Sequence, residues 1–332
     1  MGTKSMNKIR FYFFTFFVPL VLLHLLGTFA VGQQTSPEPN AVSSESSAPS
    51  STVDVKNTEP NSRDAEEEAT PMVDEQSDSR IPEFFDLCDR IFSTYVTENG
   101  LVKYAVLRRN RLELLPAMRL LKSLNPLHLM TLHQDDKTAF WLNVYNLCTL
   151  QLIIENYPIE PKWYLFRYPS NSIMQISNPW TKNYFWVQGL QYNLEEIEEE
   201  FLLARTKDPR ICFALSYASL GGGRQRNEAY RGSKLDQQLD DQVRKYLFSP
   251  HGFSLDKPQQ TVSLSVLFQT KRSVFLESEY AAIRRFRDYP DLQRAWLNFL
   301  ARYLSQEDIQ FLESTPVTFK MINYDWRLDE AP

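Results

Sequence analysis

Residues 139–157 read AFWLNVYNLCTLQLIIENY, and no other stretch constrains the fold as much. Apolar side chains occupy nearly every position around a helical wheel. A helix over Asp136–Tyr157 therefore has no face to give to water and must be wrapped by other elements. Pro158 ends it, because proline lacks the N–H that another turn needs. Asn143 and Asn146 share a face at i, i+3 and need hydrogen-bond partners in the interior. They are expected to tie the helix to neighbouring loops; alternatively, one of them lines a cleft and orients a substrate amide. Trp141 and Tyr145 are expected to stack at i, i+4.

The wrapping elements can be read on both sides. Phe84, Phe85, Cys88, Ile91, Phe92 and Tyr95 recur at helical spacing behind Pro82. Asn99-Gly100 makes a turn, Leu101–Tyr104 reads as a short strand, and helical periodicity resumes from Arg109 to Leu124. Two short strands, Phe185–Val187 and Leu190–Tyr192, flank Gly189. Asn193 and Glu196 form a capping box for a helix running to about Arg205. Ile211–Ser216 is β-like. Ser233 and Asp236 suggest a second capping box, before a helix lined by Leu235, Leu239, Val243 and Leu247. Val262–Leu264 reads as a strand, with Ser265 capping another helix. Leu292–Leu304 is helical, Ser305 with Asp308 opens a further helix, and Val317–Tyr324 is the last strand. Helices and short strands interleave without regular βαβ units. The expectation is an α+β fold: one helix-rich domain over residues 81–332 with a small, mostly antiparallel sheet.

Outside that domain the composition changes. Lys4, Lys8 and Arg10 precede an apolar run, Phe11 to Leu26, and Ala30-Val31-Gly32 supplies a small-residue cleavage pattern. Residues 1–32 read as a signal peptide with the mature chain starting at Gln33. The rival reading is an uncleaved anchor over residues 11–31, about long enough to span a bilayer. Both place the body of the protein on the non-cytoplasmic side, secreted or membrane-tethered. Residues 33–80 are rich in Ser, Pro, Glu, Asp and Thr and nearly free of aromatics, so they are expected to form a disordered acidic linker. The chain's net charge is −5; residues 33–80 carry −8 and residues 1–32 carry +3, so residues 81–332 are neutral. A neutral folded part argues against nucleic acid as a partner, because phosphate binding needs a basic excess. Three cysteines, Cys88, Cys148 and Cys212, are too few and too odd in number for a disulfide framework. Cys88 and Cys148 sit in apolar helical patterns as buried thiols, and any pairing is left open. No Asn-x-Ser/Thr sequon is present.

Five segments, in order, carry a family likeness: GLVKYAVL (Gly100–Leu107), AFWLNVYN (Ala139–Asn146), FWVQGLQYNLEEIE with DPRICFALSYAS (Phe185–Glu198 and Asp208–Ser219), VSLSVLF (Val262–Phe268) and NYDWRLD (Asn323–Asp329). Together they resemble the domain of unknown function numbered 547 (DUF 547), over about residues 82–329. The family pattern runs I-E-H-x-I-L-R and then D-P-R-I-H-F-A-L-N-C-A-S-x-S-C-P. It implies a cysteine on a turn with histidines nearby, the parts of a cysteine-peptidase or acyl-transfer site on a cysteine-peptidase-like scaffold. This chain departs from it at each such place. Glu199 stands at the His of I-E-H, Cys212 at the His of R-I-H-F, and Tyr217 at the first Cys. Ser216 stands at the Asn, and Gly222-Gly223 at the second Cys-Pro. None of His24, His128, His133 and His251 falls in a matched motif.

The remaining candidates are therefore few. Ser216 and Ser219 are hydroxyls at the matched turn, and Glu198 and Glu199 are the nearest bases by motif. A carboxylate is a poor base for serine unless burial raises its pKa. Cys212 has apolar neighbours, which make a thiol inert. Gly221-Gly222-Gly223 with Arg224 and Arg226 lacks the Gly-Lys-Ser/Thr of a phosphate loop and reads as a flexible surface loop. Asp325 and Trp326 read as a C-terminal anchor. Asn143, Glu199, Tyr217, Ser219 and Arg224 are the candidate lining of a ligand cleft. The ligand would be peptide-like, or the partner a protein. No cofactor and no metal is expected. The reading leans toward a catalytically degenerate domain. An active hydrolase or acyl transferase with a non-Cys nucleophile, and a purely structural interaction domain, are the alternatives.

Overall fold

The structure, a computed structural model, describes residues 80–332. The signal-peptide, anchor and linker expectations for residues 1–79 lie outside the described residues. The first helix, α1 (Ile81–Tyr95), turns Phe84, Phe85, Cys88, Ile91 and Phe92 inward, with Pro82 in its first turn. After a short helix at Tyr104–Arg109, α2 (Leu115–Ser123) packs on it. The central helix α3 (Gln134–Asn156) is buried from Thr138 to Ile154 at every residue except Gln151. It is wrapped on all sides, as its sequence requires.

Strands β1 (Phe185–Val187) and β2 (Leu190–Tyr192) form an antiparallel hairpin, Phe185 opposite Tyr192. Gln188 and Gly189 take φ of 52° and 77°, the pair of left-handed residues that a tight hairpin turn needs. The capping box then forms as read. Asn193 Oδ1 accepts from the Glu196 N–H at 2.9 Å, and Glu196 Oε2 accepts from the Asn193 N–H at 3.0 Å. It opens helix α4 over residues 194–206. This begins as α at Leu194–Glu196, widens into a π-helix at Ile197–Leu203 and closes as α at Ala204–Thr206.

Three expectations are corrected in the middle of the chain. Ile211–Ala214 is a helical turn, α5, rather than a strand. Asp208 and Pro209 start it, and the Asp208 carboxylate accepts from the Arg210 N–H at 2.9 Å. All four residues are buried on every side, and an apolar run of that length carries no period to separate strand from helix. The strand at Leu101–Tyr104 reduces to single bridges from Val102 to Val96 and to Glu330, because the chain turns helical at Tyr104. The second capping box is absent. Helix α6 (Leu235–Leu247) starts behind a 3-10 turn with no side-chain cap, and Asp236 pairs with Arg210 at 2.6 Å instead. Its buried face, with Leu235, Leu239, Val243 and Leu247, is the one expected.

The second sheet has the order β3 (Phe253–Asp256), β4 (Thr261–Ser265) and β5 (Thr318–Ile322). β3 and β4 pair antiparallel, β4 and β5 parallel, with Thr261 opposite Thr318. Ser265 caps α7 (Val266–Thr270) by accepting from the Leu267 N–H at 3.2 Å. Helices α8 (Asp291–Leu300) and α9 (Gln306–Ser314) lead to β5, and Ser305 caps α9 as read. Two of the three strand pairings are antiparallel, so the domain is α+β with small sheets in a mostly helical body. The chain then returns through the molecule. Amides of Leu220 and Gly221 donate to the carbonyls of Arg327 and Asp325 (both 2.9 Å), that of Leu328 to Asn171 (2.9 Å), and that of Val102 to Asp329 (2.8 Å). Trp326 packs against Tyr168, Trp180 and Tyr324, which makes this segment an anchor. Among the described residues, no helix is long and apolar enough to cross a membrane.

Candidate functional site

The turn at 215–219 is built from α5 and locked by α3. Asn146 Oδ1 accepts from the Ser216 N–H at 2.8 Å, and its Nδ2 donates to the Ala214 carbonyl at 3.1 Å. One buried amide thus satisfies backbone groups on both sides of the bend. Asn143 does the same for Tyr230, exchanging two hydrogen bonds of 2.8 Å with its backbone. Both asparagines are fully buried ties between helix and loop, and neither lines a cleft. Ala218 holds φ at 48°, a left-handed conformation unusual for a residue with a side chain. Trp141 and Tyr145 do not stack on each other. Trp141 stacks on Phe201 of α4 at 4.1 Å, and Tyr145 meets the Tyr217 ring edge-on at 6.4 Å.

Tyr217 leads into a buried ionic cluster. Its hydroxyl donates to Glu198 Oε1 at 2.5 Å. Lys271 Nζ lies 2.6 Å from that same oxygen and 2.8 Å from Glu199 Oε1. Lys271 and Glu198 are each 4 % exposed, whereas the Glu199 side chain is 51 % exposed. An α-helix turns successive side chains about 100° apart, too far for one ammonium to meet neighbouring carboxylates easily. The wider π turn carrying Glu198 and Glu199 reduces that angle. Burial pulls the Lys271 ammonium down, but the two carboxylates outweigh it and hold the group above its ordinary range. Burial first, and then the Glu198 charge, push the phenols of Tyr217 and Tyr145 up. Cys212 is pushed up by burial, with Lys271 opposing, so its thiol stays protonated and inert.

The two serines go elsewhere. Ser219 Oγ shares a hydrogen bond of 2.7 Å with the Tyr324 hydroxyl, and Ser216 Oγ accepts from the Ala218 N–H at 3.4 Å. Both are fully buried. Glu198, the base proposed for them, is engaged by Tyr217 and Lys271. Gly221, Gly222 and Gly223 are buried, not a flexible surface loop. A Cβ on Gly222 would stand 2.5 Å from the Tyr324 hydroxyl, and one on Gly223 would stand 2.3 Å from the Leu215 carbonyl oxygen. Glycine is required there by close packing. Arg226 is tied to Glu228 at 2.6 Å and Asp241 at 2.5 Å. Arg224 is half-buried, with its stem against Gly100.

The structure thus brings Tyr217, Glu198 and Glu199 together, and with them Lys271, which the sequence reading missed. It does not assemble Asn143, Glu199, Tyr217, Ser219 and Arg224 into one cleft. Each has its own partner or surface, and shallow depressions at residues 254–258 and 281–294 contain none of them. A signal for Lys271 existed. The capping box fixes the helix phase, which turns one of the adjacent Glu198 and Glu199 inward, and a buried carboxylate demands a cation. Nothing local to that helix says which cation. All three cysteines are free and buried. Among the described residues, no group of three or more His, Cys, Asp or Glu side chains is placed to hold a metal ion.

Residues 129–247 match the sequence profile of the family described as "Protein of unknown function, DUF547". That span runs from a short helix at Pro126–Thr131, just ahead of α3, to the end of α6 and contains Asn143, Glu198, Glu199, Tyr217 and both serines, but neither Lys271 nor Tyr324. Comparison with curated proteins and comparison with solved structures each returned no match.

Proposed function

We propose that this is a secreted or membrane-tethered, catalytically degenerate DUF547 domain that acts by binding a protein partner rather than by turnover. One observation carries the reading: the side chain at the position where the resemblance implies a nucleophilic cysteine is a buried phenol. It donates a hydrogen bond to a carboxylate already held by Lys271. A nucleophile needs a free base and access to substrate. Tyr217 is 3 % exposed, and Glu198 is committed to Tyr217 and Lys271 rather than to Ser216 or Ser219. The positions matched to the family's histidines, Glu199 and Cys212, are a carboxylate bound to Lys271 and an apolar-buried thiol. A Tyr–Glu–Lys bond network thus occupies the place of a cysteine–histidine pair and holds the turn without reactive parts. A peptide-like ligand is the weaker version of the binding reading, because the residues expected to line its cleft are mostly buried. The non-cytoplasmic location rests on the targeting pattern of residues 1–32.

The test is chemical. The folded protein is treated with a fluorophosphonate and with an alkylating thiol reagent, then measured by intact mass. No adduct is expected until the chain is unfolded, when the three cysteines react. An adduct on Ser216 or Ser219 of the folded protein, or hydrolysis of an ester or peptide panel that Ser219→Ala abolishes, would overturn the reading.

A further inference from the structure

Residues 158–170, PIEPKWYLFRYPS, leave α3 and cross the surface. Trp163–Leu165 is a 3-10 turn, continued by helical backbone at Phe166. Three residues per turn put every third side chain on one line. Burial follows that period: Lys162, Leu165 and Tyr168 are partly buried, and the residues between them are exposed. Trp163 and Phe166 share the outward line, 87 % and 80 % exposed, with Tyr164 beside them at 56 %. The turn is held from below by Gln175, which is 2 % exposed. Its Oε1 accepts from the Lys162 N–H at 2.8 Å, and its Nε2 faces the carbonyls of Leu165, Tyr168 and Pro169 at 3.3, 3.4 and 3.1 Å. A single buried amide therefore fixes the backbone from 162 to 169. The aromatic tips stand on a rigid base whose ordering cost is met on folding, not on binding.

We propose that this turn docks the domain on a phospholipid bilayer, with Trp163 and Phe166 entering the headgroup region. The side chains project almost fully, so they form a convex tip that suits a soft, penetrable surface better than a preformed pocket. Trp and Tyr concentrate at membrane–water interfaces, where an apolar ring and a polar edge are both accommodated. Charge agrees: within 158–170, Lys162 and Arg167 face only Glu160, and a guanidinium pairs well with phosphate. The proposal stands apart from the loss of catalysis and does not depend on it.

Residues 80–332 contain the whole described core, so they are the unit to test. The readout is co-sedimentation with vesicles of phosphatidylcholine, alone and with added phosphatidylserine. Binding to both is expected, several-fold tighter with phosphatidylserine. The Trp163→Ala/Phe166→Ala variant should bind about a hundredfold more weakly, roughly tenfold for each aromatic withdrawn from the interface. Arg167→Gln should weaken binding by about fivefold. An unchanged circular-dichroism spectrum and urea midpoint keep the double variant a fair comparison. No sedimentation with either vesicle, or equal sedimentation of the double variant, overturns the proposal. A dimer in sedimentation velocity that the double variant abolishes, without vesicle binding, also overturns it and assigns the turn to self-association.

Discussion

The Glu198–Lys271–Tyr217 cluster and the Trp163–Phe166 turn are inversions of each other. One puts charge inside the protein, the other puts aromatic rings in water. Each is held by specific hydrogen bonds, but the bonds do different work. In the cluster they satisfy the charged atoms themselves, so every member depends on the others. In the turn they satisfy only the backbone beneath, through Gln175, and leave the rings unclaimed. The lesson is that the cluster is committed to the fold and the turn is available to something else. Substitutions should separate the two sharply.

The largest effect is expected at Lys271. Lys271→Met leaves Glu198 buried without its cation and should cost about 3–5 kcal/mol in urea unfolding. The Glu198→Gln/Lys271→Met pair should cost clearly less than the two single changes added together, because neither charge is then left alone. Additive losses would mean that the two side chains do not act as a pair.

A third carboxylate sharpens the contrast, because it is buried with no cation in salt-bridge contact, only the Arg224 charge acting from farther off. Asp329 accepts from the Tyr104 hydroxyl at 2.8 Å, while its Oδ2 has no hydrogen-bond partner. Burial pushes its pKa up to about 6. The folded state then holds a proton that the unfolded chain releases near pH 4, so stability falls as pH rises from about 4 to about 6. The loss should be about 3 kcal/mol and complete above that window. Asp329→Asn should flatten this part of the stability–pH curve. A variant curve parallel to the parent's would count against the assignment.

Smaller again is Tyr217→Phe, which removes one hydrogen bond to a charged acceptor and should cost about 2 kcal/mol. Trp163→Ala/Phe166→Ala should change stability by less than about 0.5 kcal/mol, since exposed side chains contribute little to folding. A drop of several kcal/mol in the urea midpoint analysis would show that the turn belongs to the core after all.

What could be read from the sequence followed local chemistry. The all-round apolar pattern of α3, the Asn193–Glu196 box, the Ser265 and Ser305 caps and the β1–β2 hairpin each depend on residues close in sequence. The failures are mostly non-local. Ile211–Ala214 has no period to read, and its helical turn is set by Asp208 and Pro209 just ahead of it. The glycines at 221–223 read as flexible because nothing nearby signals that Tyr324 and Leu215 press on them. Lys271 meets a carboxylate 72 residues earlier, so no window contains both. The family resemblance singled out Glu198, Glu199 and Tyr217, which the structure brings together, but it gave no sign of Lys271 or of how closed the cluster is.

The return path of residues 318–331 has a consequence for biosynthesis. This stretch supplies the parallel partner of β4, the acceptors for Leu220 and Gly221, and, through Asp329 and Ala331, hydrogen bonds to both the N–H and the carbonyl of Val102. Segments around residues 102, 220 and 261 are thereby sewn together by residues translated after all of them. Translation runs at about 5–20 residues per second, so the amides of Val102, Leu220 and Gly221 wait roughly five seconds or more for these acceptors. A stop codon at position 318 would remove β5 together with every one of these ties, not a loose end.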